Sequence, residues 1–268
     1  MKKRGIIVGD MHCGHMAGLT PPSWQRILLD DDEKKNQKAY ELSRLLWDQY
    51  TALLKKHAPY DFGISMGDSV DGQGKRSGGS ELLTSDTDIQ EEIAIKCHNQ
   101  VGRHGKKGFE WVGVYGTGYH TGNETDWEDA VARECGFKKI GSHVWIEVNG
   151  HVFDIKHSIG GSTIPHGRHT AIAKDRLWNI MWAEREQQPK AQTFFRGHCH
   201  FSSFCGGPGW AALTCPALQA AGTKYGARRC SGLVDWGITV VEVDDHGEMS
   251  FYQDTVVIDQ QKAKVIRL

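Results

Sequence analysis

Short apolar runs bounded by glycine recur along the chain, and three of them end in side chains able to bind metal. Gly5-Ile6-Ile7-Val8 leads to Asp10 and His12, and Phe62 to Met66 leads to Gly67-Asp68-Ser69-Val70-Asp71. Thr193-Phe194-Phe195 leads to Gly197-His198-Cys199-His200. Runs of this length and border read as buried strands. Side chains just past strand ends converge in the crevice of an open α/β sheet. Carboxylates and imidazoles that meet there are better suited to holding metal than to filling a core.

Between these runs the apolar period changes from strand-like to helical. Ala39, Leu42, Leu45, Leu46 and Leu53 predict a helix over 33–57, stopped by Pro59. Ile89, Ile93, Cys97 and Val101 predict another over 86–104, and 109–115 reads as a third strand. Thr125-x-x-Glu128 has the form of a capping box and predicts a helix running to Cys135. Asn149-Gly150 between 144–148 and 152–155 is a hairpin signal, and 238–243 with 249–252 predicts a second hairpin. A Trp-rich helix over about 170–186 is expected to turn Trp178 and Trp182 into the core, with Trp210 and Trp236 also packing. The order is three strand–helix units followed by a mainly β half. Loops are expected at 16–32, 72–85 and 158–169. No repeat, low-complexity tract or linker divides the chain, so 1–268 reads as one domain.

Composition narrows the picture. A chain of 268 residues with 39% apolar content can bury the core of a large α/β domain. A formal charge of −1 offers no general attraction to nucleic acid or acidic membranes, although it allows a local basic groove. Fourteen histidines suit a chain that handles metal. Seven cysteines without a Cys-x-x-Cys pair read as reduced thiols and, with no signal-like or membrane-spanning apolar segment, predict a cytoplasmic protein. Cys205, Cys215 and Cys230 match no compact zinc module.

The ordered motifs, Asp10-x-His12, Gly67-Asp68-x-x-Asp71, a glycine motif with His120, the strand-end His157 and Gly197-His198-x-His200, resemble the calcineurin-like metallophosphoesterases over most of the chain. The resemblance implies two mixed β-sheets packed as a sandwich and flanked by helices, a four-layer α/β/β/α fold. It implies that Asp10, His12 and His200 hold a first metal, that Asp68 bridges, and that His157 and His198 belong to a second. Two divalent ions are expected, manganese first, with iron, zinc or nickel as alternatives. Mixed carboxylate and imidazole ligands suit such ions better than calcium or magnesium. The implied reaction is hydrolysis of a phosphodiester or phosphomonoester by a metal-bridging hydroxide. His120 is the candidate proton donor to the leaving oxygen. Asp71 is assigned a part in the catalytic machinery by orienting a ligand histidine through its ring N–H.

Two departures stand out. The family's Gly-Asn-His is replaced by Gly116-Thr117-Gly118-Tyr119-His120, so Thr117, Tyr119 or Asn123 must take the place of the Asn ligand. The Arg that protein phosphatases carry directly after Gly-Asp-x-x-Asp is Gly72 here, leaving Lys75, Arg76 and Arg168 as candidate substrate-binding cations. The expected partner is a phosphate-ester substrate, small molecule or nucleic acid, with a lean to diesters and no membrane. The alternatives are a nuclease and a non-catalytic metal-binding protein with a degenerate second metal site.

Overall fold

Ile6 and Val8 point to one side of the first strand and Ile7 to the other, and all three are buried. A strand alternates its faces with period two, so a continuous apolar run marks a strand covered on both faces. In the computed structural model the described residues are 1–26, 34–74, 78–121, 126–160, 162, 164–221, 233–258 and 265–267. The strands are β1 (Lys3–Val8), β2 (Tyr60–Ser65), β3 (Gly105–Val114), β4 (Phe137–Gly141), β5 (Val144–Val148), β6 (His151–Lys156), β7 (Thr193–Arg196), β8 (Ser203–Gly207), β9 (Trp210–Thr214), β10 (Trp236–Val243) and β11 (Met249–Val256). The helices are α1 (Pro22–Gln25), α2 (Lys34–His57), α3 (Thr87–Gly102), α4 (Gly118–Thr121), α5 (Trp127–Glu134) and α6 (Arg168–Glu184).

Two mixed sheets result, in the orders β11-β10-β1-β2-β3-β4 and β5-β6-β7-β9-β8. Strands β1 to β4 run parallel in the first, and β6, β7 and β9 run parallel in the second. Ile7, Ile64, Met66 and Val114 of the first sheet meet Phe153, Ile155, Phe195 and Leu213 of the second in one core. On the outer face of the first sheet, Ile6, Val8 and Trp111 pack under Leu46, Tyr50, Ile93 and Cys97 of α2 and α3. On the outer face of the second, Phe194 and Ala212 pack under Ile172 of α6. This is the four-layer α/β/β/α arrangement. Among the described residues no helix is long and apolar enough to cross a membrane.

Asp86 caps α3 by accepting from the Asp88 and Ile89 N–H groups, and Asn149 and Gly150 turn the β5–β6 hairpin in the left-handed region (φ 51 and 81). The cap of α5 is Asp126, which accepts from Glu128 N at 3.0 Å, rather than Thr125, which lies outside the described residues. The short edge strands β4 and β8, and β9 beside β8, were not predicted. Trp236 is buried as expected, but Trp178 and Trp182 are exposed and Trp210 is only half-buried beneath Arg176. Four-residue spacing marks one face of a helix, but it does not say which way that face points. Six described cysteines are free thiols, and Cys230 lies outside the described residues.

His98 of α3 gives the fold a pH dependence. Its Nδ1 faces Ala94 O at 2.9 Å and its Nε2 lies 3.2 Å from Ser65 Oγ, so it ties α3 to the end of β2. Burial pushes its imidazole down to about 4. Between pH 6.5 and 4 the unfolded chain binds a proton here that the folded chain does not, so this contribution is full above pH 6.5 and lost as pH falls. From pH 7 to pH 5 the loss is about 2 kcal/mol. Denaturant unfolding at both pH values should show a smaller drop in His98→Gln than in the wild type; an equal drop would remove His98 from the acid response.

Candidate metal centre

The C-terminal ends of the parallel strands of both sheets open on one crevice. Asp10 lies two residues past β1, Asp68 three past β2 and Thr117 three past β3, while His157 directly follows β6. His198 and His200 follow β7. Backbone bonds lock these turns together: Asp10 N donates to Gly67 O at 2.9 Å, His12 N to Asp68 O at 2.9 Å, and Gly197 N to His157 O at 3.0 Å. His198 N donates to the Asp10 carboxylate at 3.1 Å, which joins the two sheets at the site.

The crevice holds two groups of three metal-competent side chains, each with ligand atoms within 4.8 Å of one another: Asp10, His12 and His200, and Asp68, His157 and His198. All six expected ligands are therefore brought together. A third group, His12, Asp71 and His120, overlaps the first. His12 Nδ1 is 3.0 Å from Asp71 Oδ1, and a carboxylate can only accept, so the ring N–H sits on Nδ1 and the Nε2 lone pair faces the crevice. His120 Nδ1 likewise faces Asp71 O at 2.7 Å. His157 Nδ1 faces Met66 O at 2.5 Å.

These constraints leave acceptor nitrogens with nothing to accept from. His157 Nε2 is buried and unsatisfied by any aligned hydrogen bond, although it lies 3.1 Å from Asp68 Oδ2. His12 Nε2 and His200 Nε2 approach to 3.3 Å. A metal ion is the partner that satisfies converging lone pairs of this kind, so the side chains fit divalent ions. Without one, protons compensate. Burial would lower the His157 pKa, but the Asp68 charge and contact, with help from Asp10, raise it to about 10. Burial would raise the Asp68 carboxyl, and the His157 charge instead holds it well below the carboxylate range.

The backbone is strained at the same places. Asp10, His12, Asp68, His198 and His200 have φ between 45 and 67, and they are five of the seven non-glycine left-handed residues among those described. Each costs about 1–2 kcal/mol against ordinary backbone, and such residues persist where the surrounding structure over-determines them. The bends aim these side chains into the crevice rather than along the sheets.

Several positions were invisible to local reading. Thr117 lies against Asp68: its N donates to Asp68 Oδ1 at 2.7 Å and its Oγ1 lies 3.3 Å from the same oxygen. A Cβ on Gly116 would overlap Asp68 Oδ1, so only glycine lets this loop come so close. A side chain at Gly72 would collide with His120 O, and Gly72 (φ 76) is held by Gln90 through both its N and its O. The loop bearing His120 therefore leaves no room for an Arg after Gly-Asp-x-x-Asp. Glu128, expected only as half of a capping box, is buried and accepts from Ser69 N at 2.8 Å and Gly116 N at 2.6 Å, bracing the two loops that carry Asp68 and Thr117. Burial, and then the Asp68 charge, push its carboxyl up to about 7. Glu128 is the second residue of α5, in the first turn after the Asp126 cap, and its sequence spacing signals a cap rather than this role.

Arg168, at the start of α6, lies over the Phe201 ring at 4.4 Å, just past His200. Lys75, Arg76 and Asn123 lie outside the described residues. His15 accepts from Ala17 N at 2.9 Å and shapes its own loop.

No family model and no curated protein matches the chain. Several solved structures are similar to it along nearly its whole length. A predicted phosphoesterase of Streptococcus pneumoniae is 13% identical, with 94% of this chain and 90% of that one covered and a TM-score of 0.38. Vps29 of Entamoeba histolytica complexed with zinc is 11% identical, with 94% and 98% covered and a TM-score of 0.43. A novel archaeal phosphodiesterase is 13% identical, with 94% and 99% covered and a TM-score of 0.41.

Proposed function

We propose that the chain is a metal-dependent phosphoesterase of the calcineurin-like class, hydrolysing phosphodiesters in preference to monoesters. The observation that carries this reading is the meeting of Asp10, His12 and His200 with Asp68, His157 and His198 in one crevice between the sheets. Asp10, His12 and His200 would hold one ion and His157 and His198 another, with Asp68 shared. Two such ions supply Lewis acidity, polarising phosphoryl oxygens and lowering the pKa of water.

The chain's own groups do the rest. Asp71 fixes the tautomer and direction of His12, and Met66 O does the same for His157. Burial holds His120 below its ordinary value, so at neutral pH it is neutral, with its N–H committed to Asp71 O. The free Nε2 is then a proton acceptor. A bound phosphate ester adds negative charge beside the ring, which favours protonation and prepares His120 to protonate the leaving oxygen. Arg168 is the described cation best placed to meet the substrate beyond His200. The lean to diesters rests on Gly72, where no arginine clamp for a dianionic monoester can fit.

The test is metal analysis of the purified protein together with turnover of bis(p-nitrophenyl) phosphate and p-nitrophenyl phosphate in manganese. Metal binding, faster diester turnover and loss of activity in chelator are expected. The absence of both bound metal and turnover, in every divalent ion tried, would end this reading. Thr117 in place of an amide ligand favours a weaker second ion, which is the observation behind the non-catalytic alternative; one bound ion and no turnover is its signature. His120→Ala should keep the metal content and lower kcat about 10²–10⁴-fold. Unaltered turnover would take His120 out of the reaction.

A further inference from the structure

Helix α6 is anchored to its sheet largely through polar contacts and turns apolar residues outward. Only Ile172 and Asn179 of its residues are buried. Asp175 pairs with Arg196 of β7 at 2.7 Å, Arg176 lies over Trp210 of β9 at 4.2 Å, and Asn179 binds Pro189 O and Ala191 N. On the other side Leu177, Trp178, Met181 and Trp182 are 58, 51, 46 and 38% exposed. Their spacing makes one stripe along the helix. Side chains of this size at these exposures present roughly 400 Å² of apolar surface, on the scale of the largest patch of a soluble monomer. It also approaches the apolar share of one side of a standard interface, about 800 Å² per partner.

The charges indicate what covers the stripe. Arg168 opens the helix with no acidic residue in its first turn, and exposed Lys174 follows; at the other end Glu184 and Glu186 are exposed on either side of the C-cap residue Arg185, which lies over the Trp182 ring at 5.9 Å. A second α6 laid antiparallel sets Lys174 of each helix across from Glu184 of the other, and it places Leu177 across from Met181. We propose that the chain forms a two-fold dimer through antiparallel α6 helices, burying Leu177, Trp178, Met181 and Trp182, with Lys174 of each copy facing Glu184 of the other.

Light scattering after gel filtration and sedimentation equilibrium of the full chain test this. The wild type should be a dimer, and Trp178→Glu with Met181→Glu should be a monomer of unchanged helix content. Lys174→Glu alone and Glu184→Lys alone should each weaken the dimer about tenfold, and K174E with E184K should restore it. The double reversal keeps the test sharp if the apolar variant folds poorly, because both of its positions are exposed. A monomeric wild type would overturn the proposal. So would a dimer that survives the Trp178 and Met181 changes, or charge reversals that show no rescue. A monomer that binds anionic vesicles through this stripe would overturn it in favour of a membrane surface.

Discussion

Asp68→Asn is expected to lower kcat/KM roughly 10³-fold, about 4 kcal/mol of transition-state stabilisation, while the protein stays folded. Asn keeps the shape, and its Oδ1 can still accept from Thr117 N, which now binds Asp68 at 2.7 Å. What it loses is the charge on the oxygen 3.1 Å from His157 Nε2 and the ability to be shared between two ions. Calorimetric titration with manganese should show the second ion lost or greatly weakened. With the carboxylate gone, the raised His157 pKa of about 10 loses its main favourable cause, and its imidazole signals should titrate at lower pH in metal-free protein. Wild-type turnover and metal content in this variant would remove Asp68 from the reaction.

Glu128→Ala is the second large effect, although Glu128 is not among the residues that would touch metal. Its carboxylate satisfies Ser69 N and Gly116 N, which belong to the loops carrying Asp68 and Thr117. Removing it leaves two N–H groups without their acceptor, at a cost of about 2–3 kcal/mol of stability. It also frees the loops to separate. Losing a residue that orients ligands typically costs about 10–100-fold in metal affinity or activity. Glu128→Gln keeps one acceptor oxygen but turns an NH₂ toward the other N–H, so it should fall between the wild type and the alanine variant. Titration of both variants separates positioning from bulk stability: a merely structural role would lower the melting temperature and leave the affinity for the second ion intact.

Much of the architecture could be read locally because it is written in short periods. The run ending at Val8 is apolar at every position because β1 is covered on both faces. Asp86 stops the backbone N–H groups of α3 from going unpaired, and Asn149-Gly150 tolerates the left-handed turn of the β5–β6 hairpin. Trp178 and Trp182 face outward: an apolar stripe at helical spacing fits a core and an outward surface equally well. Arg196 and Asp175 decide the matter by holding the polar side of α6 against the sheet. Glu128 has the spacing of a capping partner, but the groups that donate to it, Ser69 N and Gly116 N, are 59 and 12 residues away along the chain.

The order and type of the metal-competent side chains, and their places just past apolar strands, belong to the sequence alone. Asp10, His12, Asp68, His157, His198 and His200 are all visible there, because strand period and glycine borders act over a few residues. Only the folded chain decides how they pair. The stacking of two sheets sets Met66 O against His157 and His198 N against Asp10, contacts spanning 91 and 188 residues. The same stacking and loop packing put Thr117 over Asp68 and leave no room beyond Gly72 for an arginine. No local pattern encodes such meetings, since they depend on strand order, sheet packing and backbone bent into left-handed conformations that only the surrounding structure can hold.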